Sequence, residues 1–268
     1  MNNLTVEKQA AVINALVEGN SIRSTERMTV VHRDTVMRLM VRVGEGCEQL
    51  MDASMRNLNC KRLQIDETWC YVGKKQRHLT DWDDSAQLGD KWTFVALDAD
   101  SKLVPCYLPE AKAFLKDLES RLTNRVQLSS DALSAYVEAS EAAFGANVDY
   151  GQIVKCYEAE AIGPGRYSPP HVISAERHPI SGMPDTLHIS TSFVERQNLT
   201  MRMSMRRFTR LTNAFSKKLE NLKAAVALHF AHYNFVRIHL TLRVTPAMAA
   251  GVSNRLWSLE ELVGRTSN

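Results

Sequence analysis

The order of strand-like and helix-like segments constrains the fold of this chain most strongly. Residues 61–158 of the 268-residue sequence contain five strand candidates and two helix candidates, in the order β-β-β-α-β-α-β. The strand candidates are rich in β-branched and aromatic residues, and the helix candidates repeat apolar residues every three or four positions. This order predicts an α/β (α+β mixed) fold with a mixed sheet flanked by helices. The strand candidates are residues 61–73, 91–100, 102–110, 125–131 and 148–158.

Three short helices are predicted before the first strand, over residues 5–18, 21–28 and 33–43. Because the last two nearly abut, the pattern is that of a helix-turn-helix, and we assign residues 1–45 to a DNA-binding domain followed by a linker over 46–60. A short helix is the alternative for residues 44–59. The third helix presents side-chain types that reach phosphates and base edges. A small bundle used for packing or dimerisation is the alternative. The outward residues are Arg33, Thr35, Arg38 and Arg42.

Charge is distributed unevenly along the chain. Residues 46–190 carry a net charge of −6, whereas residues 191–268 carry +8. An acidic middle beside a basic C-terminal third suggests a cation-binding body with a flank that grips nucleic acid. The five cysteines never form a CxxC pair, which argues against a disulfide framework and a zinc ribbon. With no signal-peptide pattern and no run of 18 apolar residues, we expect a cytoplasmic, nucleoid-associated protein with no membrane partner.

The stretch Thr191 to Leu211 is predicted to be one two-faced helix. At 100° per residue, Glu195, Asn198, Arg202 and Arg206 fall on one side, and apolar residues collect on the other. Such a stripe can be a solvated basic face with one incidental acid. It can also be a site in which Glu195 holds a metal ion and the arginines behind it hold a polyanion.

Two further acids occupy positions that favour the metal site. Asp66 lies in the first strand candidate and Asp131 just after the fourth, so the two converge if those strands are neighbours. Together with Glu195 they can coordinate two divalent cations through oxygen, as in-line phosphoryl transfer requires, and such ligands suit Mg²⁺ or Mn²⁺. Glu67 is a rival for Asp66. Since adjacent strand residues point to opposite faces, only one of the two is expected to serve.

Several motifs in the chain resemble one enzyme family. IDETW (65–69), SSDALSAY (129–136) and SFVERQNLTMR (192–202) are similar to the catalytic blocks of DDE transposases of the insertion sequence one type. Residues 17–40 resemble the helix-turn-helix segment of that family, and residues 233–249 resemble the YN–R–H–TP tail of integrase-type transposases. The resemblance implies a ribonuclease H-like catalytic core in which Asp66, Asp131 and Glu195 are the metal ligands. Arg202 is then the basic residue two turns below the glutamate.

The chain departs from this family in two respects. It has no cysteine-rich zinc finger at its start, so recognition of DNA ends has to rest mainly on the helix-turn-helix. The separation of Asp131 from Glu195 is long, and the Gly/Pro-rich segment 159–190 is interpreted as an inserted loop or hairpin. The catalytic domain is then predicted over residues 61–250, with a C-terminal tail over 251–268.

The sequence therefore predicts a metal-dependent DNA transposase that binds the terminal inverted repeats of its element, cleaves DNA and joins the 3′ hydroxyl ends to target DNA. We expect a homo-oligomer on DNA, with Arg202, Arg206 and Arg210 added to the DNA-binding set. A catalytically silent DNA-binding repressor derived from a transposase is the alternative. An RNA–DNA hybrid nuclease is a further rival, although it needs no appended DNA-binding segment. A metal cluster at His229, His232 and His239 is less favoured than helix packing.

Overall fold

Three helices begin the chain and pack against its last helices. In the computed structural model, which describes residues 4–158, 171–209 and 213–267, these are α1 (Val6–Val17), α2 (Ile22–Thr29) and α3 (Arg33–Ser54). Thr5 and Ser21 cap the first two helices by accepting hydrogen bonds from amides three residues later. Val30 ends α2 in the left-handed conformation, which is unusual for a β-branched residue. The tight turn between α2 and α3 thus forms without the glycine that such turns usually contain.

A six-stranded mixed sheet forms the centre of the molecule. Its strands stand in the order β3-β2-β1-β4-β5-β6. The strand β1 is antiparallel to β2 and parallel to β4, β4 is parallel to β5, and β6 runs antiparallel to β5. The neighbouring placement of β1 and β4 is the one required for Asp66 and Asp131 to converge. The strands are β1 (Arg62–Val72), β2 (Gly89–Asp98), β3 (Tyr107–Leu108), β4 (Val126–Asp131), β5 (Val148–Glu158) and β6 (His171–Ser181).

Helices flank this sheet, so the predicted mixed α/β class is confirmed and is compatible with a ribonuclease H-like fold. Helices α4 and α5 bury aromatic and aliphatic residues such as Phe114, Leu118 and Tyr136. Helix α6 lies against β1, and α7 buries eleven of its 17 residues. The helices are α4 (Ala111–Ser120), α5 (Ala135–Phe144), α6 (Ser192–Ser204), α7 (Leu219–Phe235), α8 (Pro246–Ala249) and α9 (Leu259–Thr266).

Helix α3 continues to Ser54, so the first nine residues of the predicted 46–60 linker are helical. The reason is tertiary packing, because α3 crosses α7 and α9 at close range. A Cβ added at Gly44 would lie 2.3 Å from the Ala224 carbonyl oxygen, and one added at Gly46 would lie 2.2 Å from that of Thr266. Residues that look like linker signals in sequence are therefore contact points between helices.

Two other segments differ from their sequence-based interpretation. The predicted strand over 102–110 is reduced to Tyr107–Leu108, because Pro105 lacks an amide and Lys102 takes a positive φ of 61°. In the predicted insertion 159–190, residues 171–181 form β6 and extend the sheet beyond β5, which fits the hairpin rather than the loop alternative. Residues 159–170 of that insertion lie outside the described part of the chain.

The C-terminal motif has a structural role in this fold. The buried Asn234 side chain of α7 accepts a hydrogen bond from the Val104 amide at 3.1 Å and donates one to the Val104 carbonyl at 2.9 Å. Its neighbour Tyr233 donates to the Lys102 carbonyl at 2.9 Å. Thr245 caps α8, which begins with Pro246. Tyr233 and Asn234 thus fasten α7 to the chain that follows β2.

Among the described residues, no helix has both the length and the apolar character needed to cross a bilayer.

Candidate active site

Three carboxylates converge where β1 and β4 separate. Pairing of the two strands is confined to residues 62–64 and 127–129, so β1 runs on beside β2 without β4 as a neighbour. Asp66 and Glu67 lie just beyond this junction, and Asp131 is the last residue of β4. Each of the three offers an oxygen atom within 4.8 Å of the others, and each is partly buried. Among the described residues this is the one group of acidic, histidine or cysteine side chains that could hold a metal ion.

Neighbouring side chains hold two of these carboxylates in place. Asn198 Nδ2, from the middle of α6, donates to Asp66 Oδ2 at 2.8 Å. Tyr136, from α5, donates its hydroxyl to Glu67 Oε2 at 2.7 Å. The cluster is therefore braced from both sides by helices that pack on the sheet, as positioned ligand groups require.

The electrostatics of the cluster are unfavourable in the absence of a cation. Burial, followed by the neighbouring Glu67 charge, raises the pKa of Asp66 to about 7 against the opposing effect of the Asn198 hydrogen bond. Burial also raises the pKa of Glu67, and the Asp131 charge adds to this while the Tyr136 hydrogen bond acts in the opposite direction. Buried like charges of this kind are stabilised by a bound cation.

A side-chain oxygen without a hydrogen-bond partner lies beside the cluster. The Oδ1 atom of Asn198 is buried and makes no hydrogen bond, although Nδ2 of the same amide contacts Asp66. A buried carbonyl oxygen without a partner carries a desolvation cost unless a ligand, ion or water supplies one. Together with three carboxylates, this oxygen gives an all-oxygen donor set, which suits Mg²⁺ or Mn²⁺. The residues present therefore fit a hard divalent cation.

Glu195 does not join the cluster. Its Oε1 forms an ion pair with Lys155 Nζ of β5 and accepts a hydrogen bond from Thr191 Oγ1 at 2.5 Å. Glu195 nevertheless lies on the same face of α6 as Asn198. Asn198 follows Glu195 by three residues and contacts Asp66. Of the predicted site residues, the structure brings Asp66 and Asp131 together, whereas Glu195 is held by Lys155. The role of these three carboxylates as metal ligands stays a prediction.

Asp66 and Glu67 both reach the cluster, although adjacent strand residues were expected to point to opposite faces and only one of the two to serve. That expectation assumed that alternate strand residues reach only their own face of the sheet. At the point where β4 has ended, no neighbouring strand separates the two faces on that side, and the longer Glu67 side chain reaches the same space as Asp131. From the sequence alone, Glu67 is expected only as a substitute for Asp66.

A buried glutamine positions α6 on the sheet. The Gln64 side chain of β1, 3% exposed, accepts hydrogen bonds through Oε1 from the Phe193 amide at 2.8 Å and the Val194 amide at 3.2 Å. These amides belong to the first turn of α6, where backbone donors have no helical partner. Gln64 therefore fixes the start of the helix that carries Glu195 and Asn198.

The predicted helix over residues 191–211 ends earlier than expected. Helix α6 stops at Ser204, Met205 is extended, and a 3₁₀ turn over Arg206–Phe208 follows. The break buries both Met205 and Phe208, so tertiary packing overrides the continuous helical period. Arg206 is exposed and belongs to this turn, while Arg202 is partly buried within α6. Arg210 lies outside the described residues.

The predicted recognition residues lie on the first half of α3. Arg33, Arg38 and Arg42 are exposed, and Thr35 is partly buried. The Arg42 guanidinium donates to the Gln9 side chain of α1 at 3.1 Å, so it helps to join two helices. Their proposed contacts with DNA remain predictions.

The histidines of α7 form a packing site. Burial lowers the pKa of His229 to about 3 and that of His232 to about 4, with a smaller contribution from nearby positive charge. His229 packs its ring edge-on against Phe230 and lies 3.4 Å from Gln197 Nε2. His229, His232 and His239 form no metal-holding group among the described residues, which agrees with the packing interpretation.

Sequence reasoning missed three residues that contact the carboxylates. The sequence patterns assign Tyr136 to a helix, Lys155 to a strand and Thr191 to the start of a helix, with no role at the site. The position of Lys155, two residues past the partner of Asp131, was the available signal. Helical spacing puts Asn198 on the face of Glu195 but assigns it no role.

Comparison with known proteins finds a remote likeness among solved structures. No family model and no curated protein matches the chain. A solved chain described as "Mos1 transposase paired-end complex with left transposon end" is 15% identical, with a TM-score of 0.20. The match covers 56% of this chain and 60% of that one. A likeness at this level carries no argument about function, which therefore rests on the site.

Proposed function

We propose that the chain is a metal-dependent enzyme of DNA phosphodiester chemistry, and specifically a DDE-type transposase. The observation that carries this proposal is the convergence of Asp66, Glu67 and Asp131 at the junction of β1 and β4. Oxygen-only ligands at one point of a mixed sheet suit two-cation catalysis at a phosphate. The net charge of +8 over residues 191–268 supports a polyanionic substrate.

In this proposal Asp66 and Asp131 hold Mg²⁺ or Mn²⁺, and Glu195 completes the set from α6. When bound, the cations supply an activated oxygen nucleophile and charge stabilisation for the leaving oxygen. Asn198 orients Asp66 through its amide nitrogen, and its buried carbonyl oxygen has no hydrogen-bond partner. Lys155 holds the Glu195 carboxylate by an ion pair. Glu67, braced by Tyr136, is the rival third ligand.

The finer parts of the proposal concern the substrate. The DNA ends are recognised by α2 and α3 through Arg33, Thr35 and Arg38, and the freed 3′ hydroxyl is joined to a target strand by an oligomer of this chain. A catalytically silent repressor derived from such an enzyme is the second candidate. It is less favoured because a binding protein has no use for a cluster of three partly buried carboxylates in which burial and neighbouring charge raise the pKa of Asp66 and Glu67.

Cleavage of DNA tests the proposal. The purified chain is incubated with a labelled linear DNA that carries its element ends, in Mg²⁺ or Mn²⁺ and in EDTA. We expect cleavage only with the metal, and loss to background in Asp66→Asn and Asp131→Asn. The exposed Glu110, at the start of α4, provides the control variant Glu110→Gln, which should cleave normally. Undiminished cleavage in EDTA or by Asp66→Asn would exclude the proposed metal site.

A further inference from the structure

A groove lies between the N-terminal helices and the segment that follows α6. It has a volume of about 860 Å³ and is lined by residues of α1, α2, α3, α7 and the segments 205–207 and 213–217. Five cationic side chains line it, and no aspartate or glutamate does. We call it the basic groove, and its cations are Arg23, Arg33, Arg206, Arg207 and Lys217.

The cations of the basic groove have no carboxylate partners. Among the described residues, none of the five takes part in an ion pair, although fourteen other pairs of charged side chains do. The Glu26 carboxylate accepts a hydrogen bond from the Arg33 backbone amide, not from its guanidinium. A cleft lined by charges of one sign focuses its potential and attracts counter-ions.

Two polar groups at the wall of the groove are also under-satisfied. The Arg207 guanidinium reaches only the Asn221 carbonyl at 3.4 Å and the Met40 sulfur at 3.2 Å. Burial lowers the pKa of Arg207 to about 10, which reports a desolvated cation with no compensating charge. Ser216, 4% exposed, has a hydroxyl without a hydrogen-bond partner. A bound anion would compensate the charge of this wall.

The size and composition of the groove indicate a polyanion. Arg23, Arg33, Arg206 and Lys217 are exposed, and they come from three separate parts of the chain. One phosphate group cannot neutralise five cations spread over such a groove, whereas successive phosphates of a nucleic-acid strand can.

The groove also lies close to the acidic cluster along the chain. Asn198 of α6 contacts Asp66 of the cluster, and the groove begins just after the last residue of α6, Ser204. Six residues of helix span about 9 Å. That distance corresponds to roughly three nucleotides along a DNA duplex at about 3.4 Å per phosphate of one strand. One DNA segment can therefore reach both sites.

We propose that the basic groove binds the sugar-phosphate backbone of DNA about three nucleotides from the phosphate that lies at the acidic cluster. This inference rests on the proposed function for the identity of the strand. Arg33 of α3 and Arg206 of the 3₁₀ turn then grip the same strand, so the N-terminal helices and the catalytic helix share one DNA contact. Arg207 forms the desolvated wall, and Arg23 and Lys217 the rims.

Matched charge reversals test this inference. Lys217 lines the groove, whereas its neighbour Lys218 forms an ion pair with Glu220; Arg23 lines it, whereas the exposed Arg27 on the same helix does not. Binding of a labelled 20-base-pair DNA is measured in EDTA over a series of salt concentrations. We expect Arg23→Glu/Lys217→Glu to weaken binding at least tenfold and to lower the salt slope by about two units. Arg27→Glu/Lys218→Glu should change affinity less than threefold.

Each outcome of this experiment decides between explanations. Equal losses in the two double variants would show a diffuse charge effect and overturn the groove. If inorganic tripolyphosphate displaced the DNA completely and bound with the same affinity as DNA, the groove would be a site for a small anion instead. Thermal unfolding of both variants reports folding, and the single variant Arg206→Ala repeats the test if a double variant unfolds. Because EDTA prevents cleavage, this experiment measures DNA binding by the groove independently of the proposed catalysis.

Discussion

The acidic cluster, which α6 contacts through Asn198, and the basic groove, which begins after the end of α6, both bring like charges together. Elsewhere in the chain opposite charges pair, as Arg121 does with Asp117 and Arg125 with Asp149. The cluster holds short carboxylates between hydrogen-bonding partners, whereas the groove carries long, mostly exposed side chains. Rigid, partly buried oxygens suit the positioning of a reacting group, and exposed cations suit affinity. Variants of the acidic cluster should therefore change the rate of cleavage, and variants of the basic groove should change DNA affinity.

The third carboxylate gives the largest expected effect. We expect Glu195→Gln to lower single-turnover cleavage at saturating DNA by about a hundredfold, because loss of one ligand disables the cation set. Glu67→Gln should lower it less than tenfold. Neither variant should change DNA affinity, since neither side chain belongs to the basic groove. The reverse ranking would make Glu67 the third ligand and leave Glu195 as the partner of Lys155.

Stability as a function of pH should reveal the strain in the cluster. The pKa of Asp66 is raised to about 7, above an unfolded value of about 3.9, so the folded state keeps a proton that the unfolded state releases. Without metal, stability should therefore fall as pH rises from about 4 to 7. We expect Asp66→Asn to be more stable than the parent by on the order of 2 kcal/mol at pH 8 and equal to it at pH 4.

Asp117 provides the control of opposite sign for this titration. Its side-chain contacts with Arg121 lower its pKa despite partial burial. Asp117→Asn should therefore lose stability relative to the parent at pH 7 and recover part of it as pH falls below about 4. Denaturant unfolding in EDTA measures both variants. Parallel curves for Asp66→Asn and the parent would show that the cluster carries no strain.

The smallest effect concerns the arginines near the end of α6. Arg202 lies within the helix that carries Glu195, whereas Arg206 lies in the basic groove. We expect Arg202→Ala to slow cleavage of saturating DNA about tenfold, because misplacement of a phosphate lowers the rate. Arg206→Ala should mainly weaken binding, with a salt slope reduced by about one unit. If Arg202→Ala cleaves saturating DNA at the parent rate, its role is affinity alone.

The sheet was predictable because its signals are local. The β-branched runs of β1, β2, β4 and β5 and the polar turns between them are visible in sequence. The placement of β1 beside β4, on which the approach of Asp66 to Asp131 depends, was a condition of the prediction and did not follow from local signals. The extension of α3 to Ser54 was not predictable, since it depends on contacts of Gly44 and Gly46 with helices at the other end of the chain.

The candidate site was predictable only in part for a similar reason. Helical spacing placed Glu195 and Asn198 on one face, but it could not show which of the two reaches Asp66. The ion pair of Glu195 with Lys155 and the approach of Glu67 depend on side-chain reach across separate elements. The end of α6 at Ser204 depends on burial of Met205 and Phe208 rather than on a helix-breaking residue.

Binding of Mn²⁺ tests the central claim most directly. The metal-free chain is titrated with Mn²⁺ and free ion is followed by electron paramagnetic resonance, without DNA and beside the variants Asp66→Asn, Asp131→Asn and Glu110→Gln. The account predicts saturable binding to the parent and Glu110→Gln, and its loss in both aspartate variants, because these carboxylates supply the ligands. Absence of saturable binding to the parent, or saturable binding to Asp66→Asn or Asp131→Asn that equals that of the parent, would contradict it.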